Sequence, residues 1–276
     1  MKKAFVTGWP ISHSLSPVLH GFWLKKLGID GSYEALPVEE TNFPEFLKAL
    51  SSSGFEGGNI TIPHKETAFK NIDIPDKAAR AIGAVNTLWF SENGTLCGGN
   101  TDAYGFSANL DQFLPRWREG QSALILGAGG ASRAIIYALI EAGFKNIHIA
   151  NRTLERSINL ANHFGKTCSA GKWDSAIDHI QTADLIVNTT SVGMAGKLDM
   201  IFPDLGKAQA NAIVTDIVYT PLETPFLLAA KQHNLETVDG LGMLLHQAVP
   251  GFEKWFGIRP DVTDELRQHV LEALND

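Results

Sequence analysis

Cysteine, excess basic charge and long apolar runs are all scarce in this sequence, and each shortage excludes a class of protein. The chain has 276 residues but only 2 cysteines, Cys97 and Cys168, without a Cys-x-x-Cys spacing. Structural zinc sites and disulfide-rich scaffolds need clustered cysteines. We therefore expect no metal site and no disulfide, and two reduced thiols of the kind found in cytoplasmic proteins.

Basic residues are outnumbered, with 23 Lys and Arg against 30 Asp and Glu and a formal net charge of −7. Recognition of nucleic-acid phosphates relies on clustered basic surface, so we expect no nucleic-acid partner. Apolar runs such as Ser122–Leu126 are far shorter than the roughly 18 residues that a membrane span requires. The basic start of the chain meets Gly8 and Pro10 before a signal-like apolar stretch forms, which predicts a soluble protein that is neither exported nor bound to a membrane.

The remaining composition is that of a globular protein, with 44% hydrophobic and 19% charged residues. Strand-like apolar segments alternate with amphipathic helical segments along almost the whole chain. This alternation predicts an α/β fold in which helices cover a parallel sheet. The length suggests about two domains, although length alone leaves a single α/β barrel open.

The chain up to Asp102 is predicted to form one domain of repeated strands and helices. Its first helix is predicted to begin at Ser16-Pro17, with Ser16 as the cap and Pro17 in the first turn. Further helices are predicted over 43–50 and from Pro63. The predicted strands cover 4–6, 33–38, 58–62, 85–90 and 95–97.

The strongest local signal follows a predicted helix over 103–114. A strand over 122–126 runs into Gly127-Ala128-Gly129-Gly130-Ala131, and a helix over 131–142 follows and ends at Gly143. Glycines at such a turn let the backbone approach a pyrophosphate, whose charge the helix N-terminus favours. Ser132 stands at the third position of this dinucleotide-binding fingerprint, where Gly or Ala is usual, and weakens the match. Strands over 146–150, 184–188 and 213–217 complete a Rossmann-type series.

The end of the second strand of this series predicts which dinucleotide binds. Enzymes that use NAD place an Asp or Glu there for the ribose 2′-hydroxyl. This chain has Asn151, Arg152 and Thr153 instead, and Arg156 follows one helical turn later. Guanidinium groups pair bidentately with phosphate oxygens, so these residues favour the 2′-phosphate of NADP, although Arg156 is also compatible with a solvated helix residue.

Three polar clusters of the first domain are hard to explain as packing. They are Ser14 and Ser16 before the first helix, Asn59, Thr61 and Lys65 around a strand end, and Asn100-Thr101-Asp102 at the domain border. Hydroxyls beside a helix N-terminus are suited to receive a carboxylate. Lys65 and Asp102 add an ammonium and a carboxylate to these clusters.

Taken in order over essentially the full chain, these motifs resemble the shikimate dehydrogenase family. They are the segments 12–17, 59–65, 83–87, 100–102, the glycine turn, 151–153, 188–191 and 239–247. The resemblance implies reversible reduction of 3-dehydroshikimate to shikimate by NADPH, a step of chorismate and aromatic amino acid biosynthesis. It also implies two domains separated by a cleft: a substrate domain over 1–102 completed by 239–276, and an NADP-binding Rossmann-type domain over 103–238.

The resemblance further implies a role for each site residue. Ser14 and Ser16 would hold the substrate carboxylate, while Lys65 with Asp102 would transfer protons. The substrate ring would be bound by Asn59, Thr61, Asn86, Asp102 and Gln247, with Tyr219 near the nicotinamide. The cofactor would lie against Gly127, Ala128, Gly129, Gly130, Ala131, Asn151, Arg152, Thr153, Arg156, Ile217, Gly240 and Met243.

Three rival functions remain open at this stage. A quinate/shikimate dehydrogenase that uses NAD would carry an acidic residue where Thr153 stands. A non-catalytic NADP-binding sensor on the same fold would be expected to lack Lys65 and Asp102. A folate-type dehydrogenase of similar form would not need the serine cluster. A monomer and a homodimer are both compatible with the sequence.

Overall fold

The computed structural model of the protein describes residues 1–194 and 201–275. By its internal contacts the chain divides into two compact units: unit 1 consists of Met1–Gly105 and Leu245–Asp276, and unit 2 consists of Phe106–Leu244. The sequence placed the domain borders after 102 and before 239, a few residues before the borders of these two units. Within the described ranges, no helix combines the length and the apolar character needed to cross a membrane.

The helices and strands are distributed over both units. The helices are α1 Ser16–Lys26, α2 Phe43–Ala49, α3 Lys65–Asn71, α4 Lys77–Ile82, α5 Asp102–Phe113, α6 Gly130–Ala142, α7 Leu154–Phe164, α8 Ala176–His179, α9 Pro225–Gln232, α10 Leu241–Phe256 and α11 Asp264–Asn275. The strands are β1 Lys2–Gly8, β2 Gly31–Pro37, β3 Gly57–Ile60, β4 Ile74–Pro75, β5 Thr87–Phe90, β6 Leu96–Gly99, β7 Ser122–Leu126, β8 Asn146–Asn151, β9 Cys168–Lys172, β10 Leu185–Asn188, β11 Ile213–Asp216 and β12 Glu236–Val238.

Unit 1 is built on a mixed six-stranded sheet in the order β2-β1-β3-β5-β6-β4. Strand β1 is parallel to β2 and β3, whereas β5 is antiparallel to β3 and to β6. One face is covered by a cluster that includes Phe5, Phe43 and Leu88. Because Thr87 pairs with both Asn59 and Gly99, the polar residues at these strand ends lie close together at one end of the sheet.

Unit 2 is a parallel six-stranded sheet in the order β12-β11-β10-β7-β8-β9. Its central strands are buried, and Leu124, Ile186 and Val214 share one core cluster with the covering helices. The chain order reverses at β7, which has β8 on one side and β10 on the other. Ligands of doubly wound sheets bind at this reversal, beyond the carboxyl ends of the strands, where β7 leads into the glycine turn.

The structure corrects several details of the predicted elements. Ser16 does not cap α1: Leu15 is the N-cap residue, and Ser16 is the buried first residue of the helix. Residues 61–64 form a turn between β3 and α3 because the Thr61 carbonyl accepts the His64 N–H at 2.9 Å, so neither the strand nor the helix covers them. The sheet of unit 1 is mixed because the hairpin β5–β6 is antiparallel.

Three short strands, β4, β9 and β12, were not expected from the sequence. All three lie at sheet edges, where one side of the strand has no neighbouring strand to bury it. The residues of β9, Cys-Ser-Ala-Gly-Lys, carry almost no apolar alternation, so the periodicity that identifies a strand is absent.

Candidate active site

Lys65 and Asp102 form an ion pair in unit 1. Lys65 is the first residue of α3 and Asp102 the first residue of α5, and the Lys65 Nζ atom lies 2.6 Å from Asp102 Oδ2. Their side chains are 28% and 14% exposed, so the pair is accessible but largely shielded from water. The first turn of a helix favours a carboxylate electrostatically, which suits the position of Asp102.

Asn86 fixes the orientation of Asp102. Its amide nitrogen donates to Asp102 Oδ1 at 2.8 Å and to the Thr101 hydroxyl at 3.0 Å, while its oxygen accepts from the Thr101 N–H at 2.8 Å and from the Thr87 hydroxyl at 2.9 Å. All hydrogen-bonding positions of this buried amide are therefore filled by protein groups. The structure gives Asn86 a role in orienting the ion pair, and its expected contact with a ring hydroxyl stays a prediction.

Asn59 belongs to the same network. Its amide nitrogen donates to the Asn86 carbonyl at 3.1 Å and to the Thr87 hydroxyl at 3.2 Å, and its oxygen accepts from the Tyr33 hydroxyl at 2.6 Å. Because the Asn86 carbonyl can only accept, the orientation of the Asn59 amide is fixed. One lone pair of the Asn59 oxygen remains for a donor outside the protein.

Tyr33 connects Asn59 to the serine cluster. The Tyr33 ring is buried, which raises the pKa of its hydroxyl well above the ordinary value, against the opposing effect of a hydrogen bond with the Ser16 side chain. The hydroxyl of Ser14 accepts the Ser16 N–H at 3.3 Å, so its own proton is available to a ligand. Ser14 and Ser16 are thus linked through Tyr33 to the network that ends at Lys65.

His20 packs inside the same unit as a neutral ring. It stacks on Tyr33 with a centroid distance of 4.0 Å and on Phe252 at 5.8 Å, and among the described residues no partner meets hydrogen-bond geometry at either ring nitrogen. Desolvation by burial lowers the pKa of His20 to about 3, and the polar side chain of Asn59 acts in the opposite direction by favouring the protonated ring. His20 therefore supports Tyr33 without carrying charge.

The remaining predicted substrate residues fall into two groups. Thr61 lies in the turn after β3, where a Cβ at Gly8 would come within 2.5 Å of its methyl group, and Gln247 on α10 accepts a long hydrogen bond of 3.5 Å from Thr101. Tyr219 belongs to unit 2, where burial raises the pKa of its hydroxyl. The structure thus places Thr61 and Gln247 in the unit that carries Lys65 and Asp102, whereas Tyr219 lies in the other unit.

The glycine turn of unit 2 opens onto a cavity of about 460 Å³. Its walls are formed by Gly127, Ala128, Gly129, Asn151, Arg152, Arg156, Trp173, Thr189, Thr190, Ser191 and Val192. Gly127 has a φ of +109°, and a Cβ there would lie 2.7 Å from the Thr189 hydroxyl. Apart from the adjacent backbone, no atom of the described residues lies within 4 Å of a Cβ added at Gly129 or Gly130, so these glycines leave open space at the helix N-terminus.

Ser132, which departs from the fingerprint, has a structural reason to be there. Its buried hydroxyl accepts the Gly129 N–H at 3.0 Å and lies 2.7 Å from the Thr189 hydroxyl, which donates to the Leu126 carbonyl at 2.8 Å. Ser132 therefore ties the glycine turn to the loop after β10. The departure from Gly or Ala does not remove the turn.

Two arginines face the cavity without a carboxylate partner. Arg152 and Arg156 are exposed, and neither takes part in any ion pair within residues 1–194 and 201–275. The Asn151 amide donates to the Thr153 carbonyl at 2.8 Å, and the Thr153 hydroxyl makes no capping bond to α7. Within the described ranges the cavity therefore presents two cations without a carboxylate partner, next to a threonine hydroxyl that does not cap α7, which suits a phosphate group.

The last predicted cofactor residues lie beyond β11 and at the start of α10. A Cβ at Gly240 would come within 2.5 Å of the Ile217 carbonyl oxygen, so this glycine is required for the close approach of the two segments. Met243 follows on α10 and is half-buried. Ala131 lies in the first turn of α6. Their contacts with a cofactor stay predictions.

Groups of three or more His, Cys, Asp or Glu side chains arranged to hold a metal are absent from the described part of the chain. Sequence reasoning missed Tyr33, which is buried and donates to Asn59, and no local motif marks it. Thr87 and Thr101 lie in motifs that the sequence marked, but their hydrogen bonds to Asn86 were not expected.

Comparison with known families gives matches along most of the chain. The model of the shikimate dehydrogenase substrate binding domain matches residues 6–88, that of shikimate/quinate 5-dehydrogenase matches 112–197, and that of the shikimate 5′-dehydrogenase C-terminal domain matches 240–271. The curated shikimate dehydrogenase (NADP(+)) of Brucella abortus is 59% identical over 272 residues, which cover 98% of this chain and 94% of that protein.

Solved structures give the same result at the level of the fold. The shikimate 5-dehydrogenase of Thermus thermophilus in complex with NADP(H) and shikimate superimposes with a TM-score of 0.85 at 38% identity, over 100% of this chain and 99% of that chain. The quinate dehydrogenase of Corynebacterium glutamicum in complex with NAD superimposes with a TM-score of 0.90 at 30% identity, over 98% and 99% of the two chains.

Proposed function

The chain belongs to the shikimate dehydrogenase family, and we propose that it catalyses the reversible NADPH-dependent reduction of 3-dehydroshikimate to shikimate in aromatic amino acid biosynthesis. The observation that carries this proposal is the ion pair in which Lys65 Nζ lies 2.6 Å from Asp102 Oδ2 within a fully hydrogen-bonded network. Such a pair supplies a positioned proton and a fixed positive charge beside a reacting oxygen.

The residues of unit 2 fit NADP. The open space at Gly129 and Gly130 suits a pyrophosphate at the N-terminus of α6, and Arg152 and Arg156, which have no ion-pair partner among the described residues, suit a 2′-phosphate. When bound, NADPH supplies the hydride.

The side chains of unit 1 account for the proton. As the carbonyl oxygen of the substrate gains negative charge, the Lys65 Nζ stabilises it and gives up a proton, and the substrate alcohol forms. Asp102 orients the Lys65 ammonium toward that oxygen and stabilises the positive charge of the ammonium. Asn86 in turn fixes the orientation of the carboxylate. In the oxidation direction neutral Lys65 takes the proton from the hydroxyl.

Substrate binding is assigned to the remaining polar groups of unit 1. The hydroxyls of Ser14 and Ser16 donate to the carboxylate of the substrate, as the resemblance implies. The free lone pair of the Asn59 oxygen accepts from a ring hydroxyl, because the two amide protons of Asn59 are already engaged. Thr61 and Gln247 complete the contacts with the ring hydroxyls.

We also assign the enzyme to the cytoplasm, as a monomer or homodimer with small-molecule ligands and no nucleic-acid or membrane partner. The two free cysteines, Cys97 and Cys168, and the use of NADPH support this assignment. The net charge of −7 argues against a nucleic-acid partner.

The experiment that tests the function combines each of NADP⁺ and NAD⁺ with each of shikimate and quinate. We expect the purified protein to prefer shikimate to quinate and to oxidise shikimate with NADP⁺ at a kcat/KM about tenfold or more above that with NAD⁺, since one lost charged hydrogen bond to the 2′-phosphate is worth about 1.5 to 3 kcal/mol. Preference for quinate with NAD⁺ would assign the activity of the Corynebacterium relative instead. Binding of NADP⁺ without turnover of either acid would indicate a sensor.

A further inference from the structure

A buried carboxylate of unit 2, Asp216, has no part in the site described so far. It is the last residue of β11 and is 0% exposed. Its Oδ1 atom accepts from the Asn188 amide at 2.9 Å and from the Val218 N–H at 2.9 Å, and its Oδ2 atom accepts from the Thr224 hydroxyl at 2.7 Å. Three segments of the chain therefore meet on one side chain.

The first of these segments is a wall of the cofactor cavity. The Asn188 amide nitrogen donates both to Asp216 and to the Val192 carbonyl, at 2.9 and 3.1 Å, so its oxygen must face the Thr190 N–H and hydroxyl, at 3.0 and 2.7 Å. The Thr190 hydroxyl in turn accepts the Val192 N–H at 3.1 Å. These bonds fix the turn 188–192, whose residues Thr189, Thr190, Ser191 and Val192 line the cavity.

The second segment follows β11. The Val218 N–H binds Asp216, and the Ile217 N–H donates to the Asn188 carbonyl at 3.1 Å. Ile217 also carries the carbonyl group against which Gly240 packs. The third segment is the start of α9, where Thr224 caps the helix by accepting the Leu227 N–H at 3.2 Å and donates its own proton to Asp216.

We propose that Asp216 is a positioning residue for the cofactor, because its carboxylate holds the turn 188–192 and the segment 217–218 in the arrangement that NADP requires. The inference rests on the proposed function, which makes this cavity the NADP site. Its mechanism is preorganisation: a cavity wall that is already ordered spares the cofactor the free-energy cost of ordering it.

Burial also acts on the charge of this carboxylate. It raises the pKa of Asp216 to about 6, with partial compensation by the hydrogen bonds from Val218, Thr224 and Asn188. An ionised carboxylate at this place therefore costs folding stability at neutral pH, whereas the amide of Asp216→Asn carries no charge to bury.

A second carboxylate of unit 2 provides a matched control. Asp184 precedes β10, at the opposite end of the sheet, and accepts hydrogen bonds of 2.8 to 3.0 Å from Gln121, Ser122 and Gln209. Burial acts to raise its pKa, but the hydrogen bonds from Gln121, Ser122 and Gln209 outweigh burial and lower it. Asp184 thus stabilises the fold in its ionised form and does not line the cavity.

The test compares Asp216→Asn, Asp216→Ala and Asp184→Asn with the unchanged protein. Calorimetry measures the Kd of NADP⁺ and of shikimate separately, and thermal unfolding gives the Tm. We expect Asp216→Asn to weaken NADP⁺ binding about threefold or more and Asp216→Ala about tenfold or more, with shikimate binding within about twofold of the unchanged protein. Asp216→Asn should keep or raise the Tm, whereas Asp184→Asn should lower the Tm and leave NADP⁺ binding intact.

Each outcome bears on the inference. Equal NADP⁺ affinity in the unchanged protein and both Asp216 variants overturns it, and so does a parallel loss of NADP⁺ and shikimate affinity that follows a fall in Tm. If Asp216→Ala does not fold, Asp216→Asn decides by the same criteria. If the unchanged protein binds no NADP⁺, the proposed function fails and the inference fails with it. If the unchanged protein and both Asp216 variants bind NADP⁺ equally well, only the inference is refuted.

Discussion

The Lys65 ammonium lies 2.6 Å from the Asp102 carboxylate although the two residues stand at the starts of different helices, α3 and α5. The turn 61–64 places Lys65 just beyond the end of β3. The pairing of β5 with β6 places Asp102 beside it. Asn86, just before β5, then bonds to the second carboxylate oxygen. The ion pair is therefore a consequence of strand register, and it holds an ammonium beside a carboxylate at this end of the sheet.

Removal of both cavity arginines should erase the preference for NADP. Arg152→Ala with Arg156→Ala removes the two cations that face the 2′-phosphate, so kcat/KM with NADP⁺ should fall by about tenfold or more while turnover with NAD⁺ is spared. Steady-state kinetics with both cofactors measure the ratio. Lys166→Ala removes an exposed cation of unit 2 outside the cavity and serves as the control. An unchanged ratio in the double variant would show that the 2′-phosphate binds elsewhere.

Loss of a serine hydroxyl should weaken the binding of the substrate carboxylate. In Ser14→Ala, KM for shikimate should rise by about tenfold or more with little change in kcat, because a bond made equally in the ground and transition states affects KM alone. Ser16→Ala should raise KM at least as much, since Ser16 also contacts Tyr33. Ser12→Ala, in the same loop and exposed, is the control. Unchanged KM in both variants would mean that the carboxylate binds elsewhere.

Acid should destabilise the protein through His20. The pKa of His20 falls to about 3 in the folded state from 6.5, because desolvation by burial disfavours the charged ring. Its contribution to stability is present above pH 6.5 and is lost as the pH falls toward 3, which amounts to about 2 kcal/mol at pH 5. Urea unfolding at pH 7 and pH 5 should show this loss, and His20→Phe should reduce it.

His13→Phe is the control for this measurement, because His13 is exposed and should leave the pH dependence unchanged. The buried His148, whose desolvation lowers its pKa to about 4, acts in the same direction and should account for part of the loss that remains in His20→Phe. An identical loss of stability in His20→Phe and in the unchanged protein would contradict the assignment to His20.

Sequence reasoning found the parts of this site that local chemistry marks. The turn after β7 is identifiable because an apolar strand, three glycines and a helix follow one another within a few residues. Arg152 could be used to predict the cofactor because it directly follows the end of β8, the position at which the ribose of a dinucleotide is expected. Lys65 and Asp102 could be paired from the sequence only with the help of the family resemblance, since no local pattern joins residues so far apart.

The supporting residues escaped detection for a physical reason. Tyr33 on β2 donates to Asn59 on β3, with β1 between the two strands, and the Thr101 N–H binds Asn86 across the β5–β6 hairpin, so both contacts depend on strand register. The capping role expected for Ser16 was wrong because its side chain contacts Tyr33 instead of the helix backbone. Hydrogen bonds between distant residues leave no spacing in the sequence by which to recognise them.

Replacement of Asp102 should impair both kinetic constants. Asp102→Ala removes the carboxylate that orients Lys65 and a proposed ligand of a ring hydroxyl, so kcat should fall and KM for shikimate should rise, each by about tenfold or more. Asp73→Ala removes an exposed carboxylate of the same unit and should change neither constant. A variant with normal kcat would separate Asp102 from the proton transfer.

The most direct test of the account is the kcat of Lys65→Ala for the oxidation of shikimate by NADP⁺ at low and high ionic strength, with Lys70→Ala on the same helix as the control. A proton-transferring lysine acts on the transition state, so kcat should fall by about 10² to 10⁴ with a modest change in KM at both ionic strengths. A lysine that only attracts the anionic substrate would instead give nearly intact kcat and a raised KM, with a loss that grows at low salt. An unchanged kcat in Lys65→Ala would contradict the assignment of proton transfer to the Lys65–Asp102 pair.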